Sequence, residues 1–336
     1  MKALLGECQS GIYIGSMHKA RIKQDRIAVI GYGSQGRAMG LNLKDSGYVV
    51  AIALPPKSKS RRLAKKDGFK SVGTISQIVK EADIICFAFP DYLHGRVYDR
   101  DIRNNLKKNA TLLFLHGFSV HFGFVKLPKS SDVILMAPHA PGLMVREKFL
   151  GDRSLSAFYA IAQNRSGNAA NKALHLAAAI GFKKRNLVKT TFELETIGDL
   201  FGEQAVLCGG LASLIKNGFE VLIENGVPAV NAYLEVAYQL DQIIALIKKF
   251  GINGMFDRIS VAAQLGSIGT GPYVVDRSVK KRMQQKLKEI VSGNFARELN
   301  SLSKSHVKSL KHKTRLLSNR QFEQAVRKFN ITISKG

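Results

Sequence analysis

Arg26-Ile27-Ala28-Val29-Ile30-Gly31-Tyr32-Gly33-Ser34-Gln35-Gly36 is the stretch that decides the fold. A short apolar run ends in glycine, and a helical stretch to about Asp45 follows. Gly31, Gly33 and Gly36 stand in the G-x-G-x-x-G spacing. There the first glycine permits a tight turn, the second lets a pyrophosphate approach the backbone, and the third allows strand and helix to pack closely. The opening helix offers N–H groups and the positive end of its dipole to phosphates. Glycine-rich turns are common, so the context carries the reading: the motif follows a strand, opens a helix and begins a repeated pattern.

Outward from that stretch, apolar runs recur at 49–54, 83–89, 111–115 and 132–137, with helix-like segments between them. Runs at 156–162 and 185–190 add two more, around a helix over 168–180. Buried strands alternating with helices predict an α/β Rossmann domain with a mostly parallel sheet. After Thr191 strand-like runs cease and 3.6-residue periodicity takes over, roughly at 193–226, 229–250, 253–265, 277–292 and 318–329. Two domains are expected: 1–190, binding a dinucleotide, and 191–336, all helical.

The end of the second strand bears on which dinucleotide. A carboxylate there would hold a ribose 2′-hydroxyl and repel a 2′-phosphate. The segment reads Leu54-Pro55-Pro56-Lys57-Ser58-Lys59-Ser60-Arg61-Arg62 and contains no acid. Hydroxyls and cations suit a phosphate dianion, which favours NADPH, although a merely solvated basic loop has the same composition.

Two further places carry chemistry. Leu115-His116-Gly117-Phe118-Ser119 lies at the C-terminal end of an expected strand, where open α/β sheets hold ligands. Glu195, Asp199 and Glu203 recur every fourth residue on an expected helix and so share a face. Like charges at that spacing repel unless a cation neutralises them. Carboxylate oxygens suit Mg²⁺, and a plain acidic surface is the competing reading. Glu235, four residues before Gln239 on a later helix, has the same spacing.

The chain carries 51 Lys and Arg against 25 Asp and Glu, a net charge of +26. From Arg277 onward sixteen cationic residues face three glutamates. Such an excess raises nucleic acid or an acidic membrane as partners. No zinc-finger spacing or aromatic-interleaved basic strand accompanies it, so no specific nucleic-acid partner is expected. Cys8, Cys86 and Cys208 are too far apart for a metal motif or a disulfide framework. Met1–Met17 lacks a long apolar block, no run of 18 apolar residues occurs, and a cytoplasmic protein without a membrane span is expected.

Gly31–Gly36, Pro90-Asp91, His116-Gly117-Phe118-Ser119, Ala137-Pro138, Ala140-Pro141-Gly142 and the segment from Asp199 to Gly210 together resemble the ketol-acid reductoisomerases. The likeness runs from about residue 22 to 290 and more loosely to the end. It implies a single knotted helical domain after the Rossmann domain. It also implies an NADPH- and Mg²⁺-dependent conversion of 2-acetolactate or 2-aceto-2-hydroxybutyrate to 2,3-dihydroxy acids, by alkyl migration and then hydride transfer, in valine, leucine and isoleucine synthesis. Carried over by position, Tyr32, Gly33, Ser34 and Gln35 hold cofactor phosphates, and Ser58 and Ser60 meet the 2′-phosphate. Asp91, Tyr92, Leu93 and His94 line the cofactor site, and Gly142 contacts the nicotinamide end. His116 is the catalytic histidine, Asp199, Glu203, Glu235 and Gln239 are the metal set, and Ser260 and His139 face the substrate. Metal ligands shared across a homodimer, or a higher assembly, are implied too.

The chain departs from the pattern. His139 stands where the resemblance expects Lys, Gln239 and Gln264 where it expects Glu, and Pro55-Pro56 where it expects Arg-Ser. Two other readings stay open on the residues: another Rossmann hydroxy-acid dehydrogenase without Mg²⁺, or a basic binding protein on a decayed enzyme fold.

Overall fold

The computed structural model of the chain describes residues 25–333. The readings of Met1–Met17 and of Cys8 lie outside the described residues. Cys86 is buried and Cys208 exposed, both free thiols. The chain divides into two compact units, Met1–Thr196 and Ile197–Gly336.

The first unit is built on β1 (Arg26–Ile30), β2 (Val49–Ala53), β3 (Val72–Gly73), β4 (Ile84–Phe87), β5 (Thr111–Phe114), β6 (Asp132–Pro138), β7 (Ala157–Gln163) and β8 (Leu187–Lys189). They form one sheet in the order β3-β2-β1-β4-β5-β6-β7-β8. Every pairing is parallel except β6 with β7. Strand order reverses between β1 and β4, which opens a crevice at their C-terminal ends. Sequence reading missed β3, whose two residues pair only with Ile52 and Ala53 and leave no apolar run to detect.

Alternation along the strands supplies both faces. Ile27, Val29, Ile84, Cys86, Leu113 and Ile134 pack with the Ser34–Asp45 and Ala169–Ile180 helices on one side. Ala28, Ile30, Ile85, Phe87, Leu112 and Phe114 pack on the other. Each fully buried Ile, Leu or Phe contributes about 1.5–3 kcal/mol relative to exposure, so the strand ends are held on a rigid base. Buried Asn42 donates to Ile180 O (2.8 Å) and accepts from Arg146 (2.9 Å), which ties the helix after the glycine loop to two others.

In the second unit all described elements are helical. Two helices contain π-helical turns: Gly202–Leu207 between Phe192–Phe201 and Gly209–Glu224, and Leu234–Tyr238 between Ala229–Tyr233 and Leu240–Phe256. Gly251 (φ 73°) kinks the last of these. The expected stretch 253–265 is corrected: Ser260 accepts from Ala263 N–H (3.2 Å) and starts a separate helix, Val261–Val274. Asn294–Asn300 and Lys304–Leu317 were not expected: the first is only 7 residues long, and dense charge hides the periodicity of the second.

One described helical stretch, the 33-residue Phe192–Glu224, is long and apolar enough by length and composition to cross a bilayer, an 18-residue window within it having a mean hydropathy of 1.5. No uninterrupted apolar run marks it in the sequence, because charged residues such as Glu203, Lys216 and Glu220 interrupt it. Little of it is buried within the chain. Among the described residues the unit is short of interior: Leu200, Phe219, Ala232, Ile290, Ala296 and Ala325 are its buried hydrophobics, while Leu207, Val261, Leu265, Ile268 and Tyr273 stand 68–86% exposed.

Candidate functional site

At the end of β1, Gly31 has φ +95°, and a Cβ on it would lie 2.3 Å from Ala88 O. A Cβ on Gly36 would lie 2.5 Å from Gly31 O. Both glycines are therefore required by packing. Gly33 differs, since a Cβ there would meet nothing within 4 Å. Its backbone borders open space at the start of the Ser34–Asp45 helix, which has no side-chain cap and no acid in its first turn. Uncapped N–H groups and a positive dipole end beside a bare glycine make a phosphate cradle. Gln35 donates to Ala140 O (2.9 Å), and its buried Oε1 has no hydrogen-bond partner. A dinucleotide fits these residues.

The expected role of Tyr32 narrows. Its side chain is buried edge-on against Phe69, and its hydroxyl donates to Asp67 (2.8 Å). Burial first, and then Asp67, push that phenol well above its ordinary range. Tyr32 thus has only its main chain to offer a phosphate. Asp67 also accepts two bonds from Arg37 (2.7 and 3.0 Å), whose guanidinium is the leading cause that holds this carboxyl low. Gly142 opens the Gly142–Leu150 helix, where a Cβ would sit 2.2 Å from Ser34 O and 2.6 Å from Gln35 N. It lets a second helix lie against the glycine loop.

After β2, Arg61 donates to Pro55 O (3.1 Å) and Leu54 O (3.0 Å), bracing the Pro55–Lys59 turn. Ser58 is half-buried, and Ser60 begins the Ser60–Lys66 helix.

At the end of β4 the chain turns through Pro90 into Asp91–Leu93. His94, read from sequence as a cofactor contact, turns its side chain into the protein. It is 2% exposed, with Nε2 2.9 Å from Phe89 O and Nδ1 2.8 Å from Ser119 Oγ. Both ring nitrogens are committed to the protein. The neighbours Tyr92 and Leu93 are half-buried.

His116 follows β5 on the same sheet edge. Its Nδ1 lies 3.3 Å from Asp91 Oδ2, and its ring stacks on Phe118 (5.9 Å, 25°). Burial opposes ionisation of Asp91, yet the hydrogen bond with His116 keeps its carboxyl below the usual range. Gly117 N–H donates to buried Glu195 (2.8 Å). A Cβ on Gly117 would strike Thr196 Oγ1 at 2.4 Å and Glu195 Oε2 at 2.7 Å. Glu195 therefore anchors the His116 loop and leaves the acidic stripe of which it seemed a member by sequence spacing. Ser119 and Glu195 are supports that sequence reading did not assign. Glycine immediately after His116 was the available signal of close approach.

His139, at the end of β6, is exposed, with Nδ1 2.9 Å from Ser156 Oγ and its ring edge-on to Phe158 (4.3 Å, 88°). The glycine loop, Asp91, His116 and His139 thus share the C-terminal edge of β1, β4, β5 and β6.

In the second unit, Asp199 and Glu203 are exposed, and Glu203 lies in the Gly202–Leu207 π turn. Glu235 lies in the Leu234–Tyr238 π turn and accepts from Gln239 Nε2 (2.9 Å). Such turns recur at functional sites. Oxygen donors of this kind fit Mg²⁺, but among the described residues no three His, Cys, Asp or Glu side chains of one chain converge as a metal centre. Ser260 is exposed at its helix cap, and Gln264 folds back to donate to Ile259 O (3.1 Å).

Comparison with known proteins agrees along the whole described chain. Residues 21–186 match the family profile described as acetohydroxy acid isomeroreductase, NADPH-binding domain, and residues 192–333 that of the ketol-acid reductoisomerase C-terminal domain. The ketol-acid reductoisomerase (NADP(+)) of Pyrobaculum aerophilum is 46% identical over 277 residues, covering 82% of this chain and 84% of that protein. That of Xanthomonas campestris is 44% identical over 274 residues, 82% of each. A solved structure titled as an NADH-preferring ketol-acid reductoisomerase from an uncultured archean superposes with TM-score 0.86 at 36% identity, covering 94% and 95%.

Proposed function

Because the chain belongs to the ketol-acid reductoisomerase family, we propose that it converts 2-acetolactate or 2-aceto-2-hydroxybutyrate to the 2,3-dihydroxy acid with NADPH, and that His116 is its catalytic histidine. It is an oxidoreductase of branched-chain amino-acid synthesis, and Mg²⁺ is the metal standard for the family. The observation that carries the residue assignment is the meeting of the glycine loop, Asp91 and His116 on one edge of the sheet.

NADPH lies with its pyrophosphate over Gly33, Ser34 and Gln35 and its 2′-phosphate against Ser58, Ser60 and the neighbouring cations. The absence of an acid between Leu54 and Arg62 supports the phosphate-bearing cofactor, in contrast to the NADH preference named for the archaeal structure. The cofactor domain spans 1–190 and the metal and substrate domain 191–336, its helices threaded as a knot.

Asp199, Glu203, Glu235 and Gln239 hold Mg²⁺, with Ser260 and His139 toward the substrate. Bound there, the metal supplies Lewis-acid polarisation of the substrate's oxygens. Among the described residues no three carboxylates of one chain converge as a metal centre, and the helical unit leaves much apolar surface uncovered. Both facts support a homodimer in which a second copy completes the metal set and covers Phe192–Glu224. The chain acts in the cytoplasm and needs no nucleic-acid partner.

The test is NADPH oxidation with 2-acetolactate while Mg²⁺ is titrated. Mg²⁺-dependent turnover is expected. Turnover without Mg²⁺ would favour a different hydroxy-acid dehydrogenase, and none at saturating Mg²⁺ in folded, NADPH-binding protein would favour a decayed one. Light scattering across concentration should give a dimer or a multiple of it.

A further inference from the structure

We infer that Asp91 is the positioning residue of His116, dictating which ring nitrogen carries the proton, and that the buried His94–Ser119 pair frames Asp91 for this task. The inference rests on the reading of His116 as catalytic, and it moves Asp91 from the cofactor's surroundings to the histidine's.

The argument is one of hydrogen-bond arithmetic. His94 Nε2 lies 2.9 Å from the carbonyl of Phe89, which can only accept, so the proton of His94 is on Nε2. Its Nδ1 then holds a lone pair, and the Ser119 hydroxyl donates to it at 2.8 Å. His94 is thereby neutral, and burial, the largest influence on it, lowers its basicity. It has no proton to give Asp91, whose Oδ1 stands 3.6 Å away. Both rings approach the one carboxylate, yet only His116 is able to donate to it. The 3.3 Å separation therefore places a proton on His116 Nδ1. Nε2, at the other side of the ring, keeps its lone pair and is the atom that takes up and returns a proton.

The surroundings hold this choice in place. Phe118 stacks on the ring, and Glu195 fixes the main chain of Gly117. Asp91 faces the ring, neutral His94 lies beyond it, and Glu195 is bound to the next residue's N–H. The 3.3 Å bond is long, as such bonds often are before substrate binds.

Asp91→Ala and Asp91→Glu decide the matter, with folding checked by circular dichroism and NADPH affinity by fluorescence. For Asp91→Ala, kcat should fall by about 10²–10⁴-fold, the range for loss of oriented acid–base catalysis. NADPH Kd should stay within about threefold, and the pH profile of kcat/KM should move. Asp91→Glu should recover at least about tenfold of the lost kcat. Independently of activity, ¹⁵N shifts of His116 should report Nδ1–H in the parent and a shift toward Nε2–H in Asp91→Ala. A parent already in the Nε2–H form overturns the inference. So does an Asp91→Ala enzyme whose kcat returns at saturating NADPH, since Asp91 would then be a cofactor contact. If His116→Gln retains full activity, the catalytic reading of His116 fails instead, while the ¹⁵N result still judges Asp91.

Discussion

Replacing Gly33 with alanine should separate cofactor binding from folding. Gly33 has φ −81° and ψ −162°, a region open to any L-residue. Its added methyl would meet no protein atom within 4 Å. The folded chain therefore loses nothing, and the unfolded chain loses freedom. By that effect Gly→Ala at a compatible position stabilises by about 0.4–1 kcal/mol. The same methyl occupies the space through which a pyrophosphate reaches the N–H groups of Ser34 and Gln35. Losing one charge-assisted hydrogen bond there costs about 1.5–3 kcal/mol. At 1.4 kcal/mol per factor of ten, NADPH Kd should rise about 10- to 150-fold. The assay is thermal unfolding with and without NADPH, beside a fluorescence titration. An unliganded midpoint equal to or above the parent's, with a much smaller NADPH-induced rise, is expected. A variant that unfolds earlier without cofactor, or that binds NADPH as tightly as the parent, refutes the cradle.

Gly142→Ala should fail in the opposite way: its methyl meets Ser34 O at 2.2 Å, so unliganded stability should drop by about 1–3 kcal/mol in a denaturant titration. Gln239→Glu restores a charge beside Glu235. Unit charges about 4 Å apart interact by roughly 1 kcal/mol in water and 4 kcal/mol at an effective dielectric of 20. Mg²⁺ should therefore bind at least about fivefold tighter by calorimetry, and unchanged affinity would remove Gln239 from the metal set. Burial disfavours the Asp132 carboxylate, but bonds from Lys172 (2.7 Å) and Ser166 outweigh it and lower its pKa. The stability it contributes is complete above its unfolded pKa, near 4, and is lost as pH falls through the folded value. Asp132→Asn should flatten the acid limb of stability against pH while lowering stability at pH 7.

Legibility followed burial. β1, β4 and β5 are covered on both faces, so their sequences are unbroken apolar runs, and β3 left no trace because pairing alone creates it. The glycine fingerprint was readable because each position has its own steric reason. Asp91 and His94 were read as one contact segment, since adjacency in sequence does not say which way a short turn points each side chain. Likewise, the spacing of Glu195, Asp199 and Glu203 suggested one acidic face, but Glu195 points at a main-chain amide that no local pattern reveals. Dense charge hid the Lys304–Leu317 helix, and Asn294–Asn300 was too short to show a period.

The π turns at Gly202–Leu207 and Leu234–Tyr238 have a consequence for how this chain tolerates change. Each works as a phase slip: one residue more than an α-helix needs, which turns everything after it by about 100° relative to a regular helix. Deleting a single residue there would leave a smoother and intrinsically better helix. It would also swing Glu203 or Gln239 away from the carboxylate one turn earlier and rotate every apolar side chain downstream. Local regularity and the acidic constellation thus pull against each other. A length change of one residue in either turn is a far larger perturbation than the loss of any side chain within it.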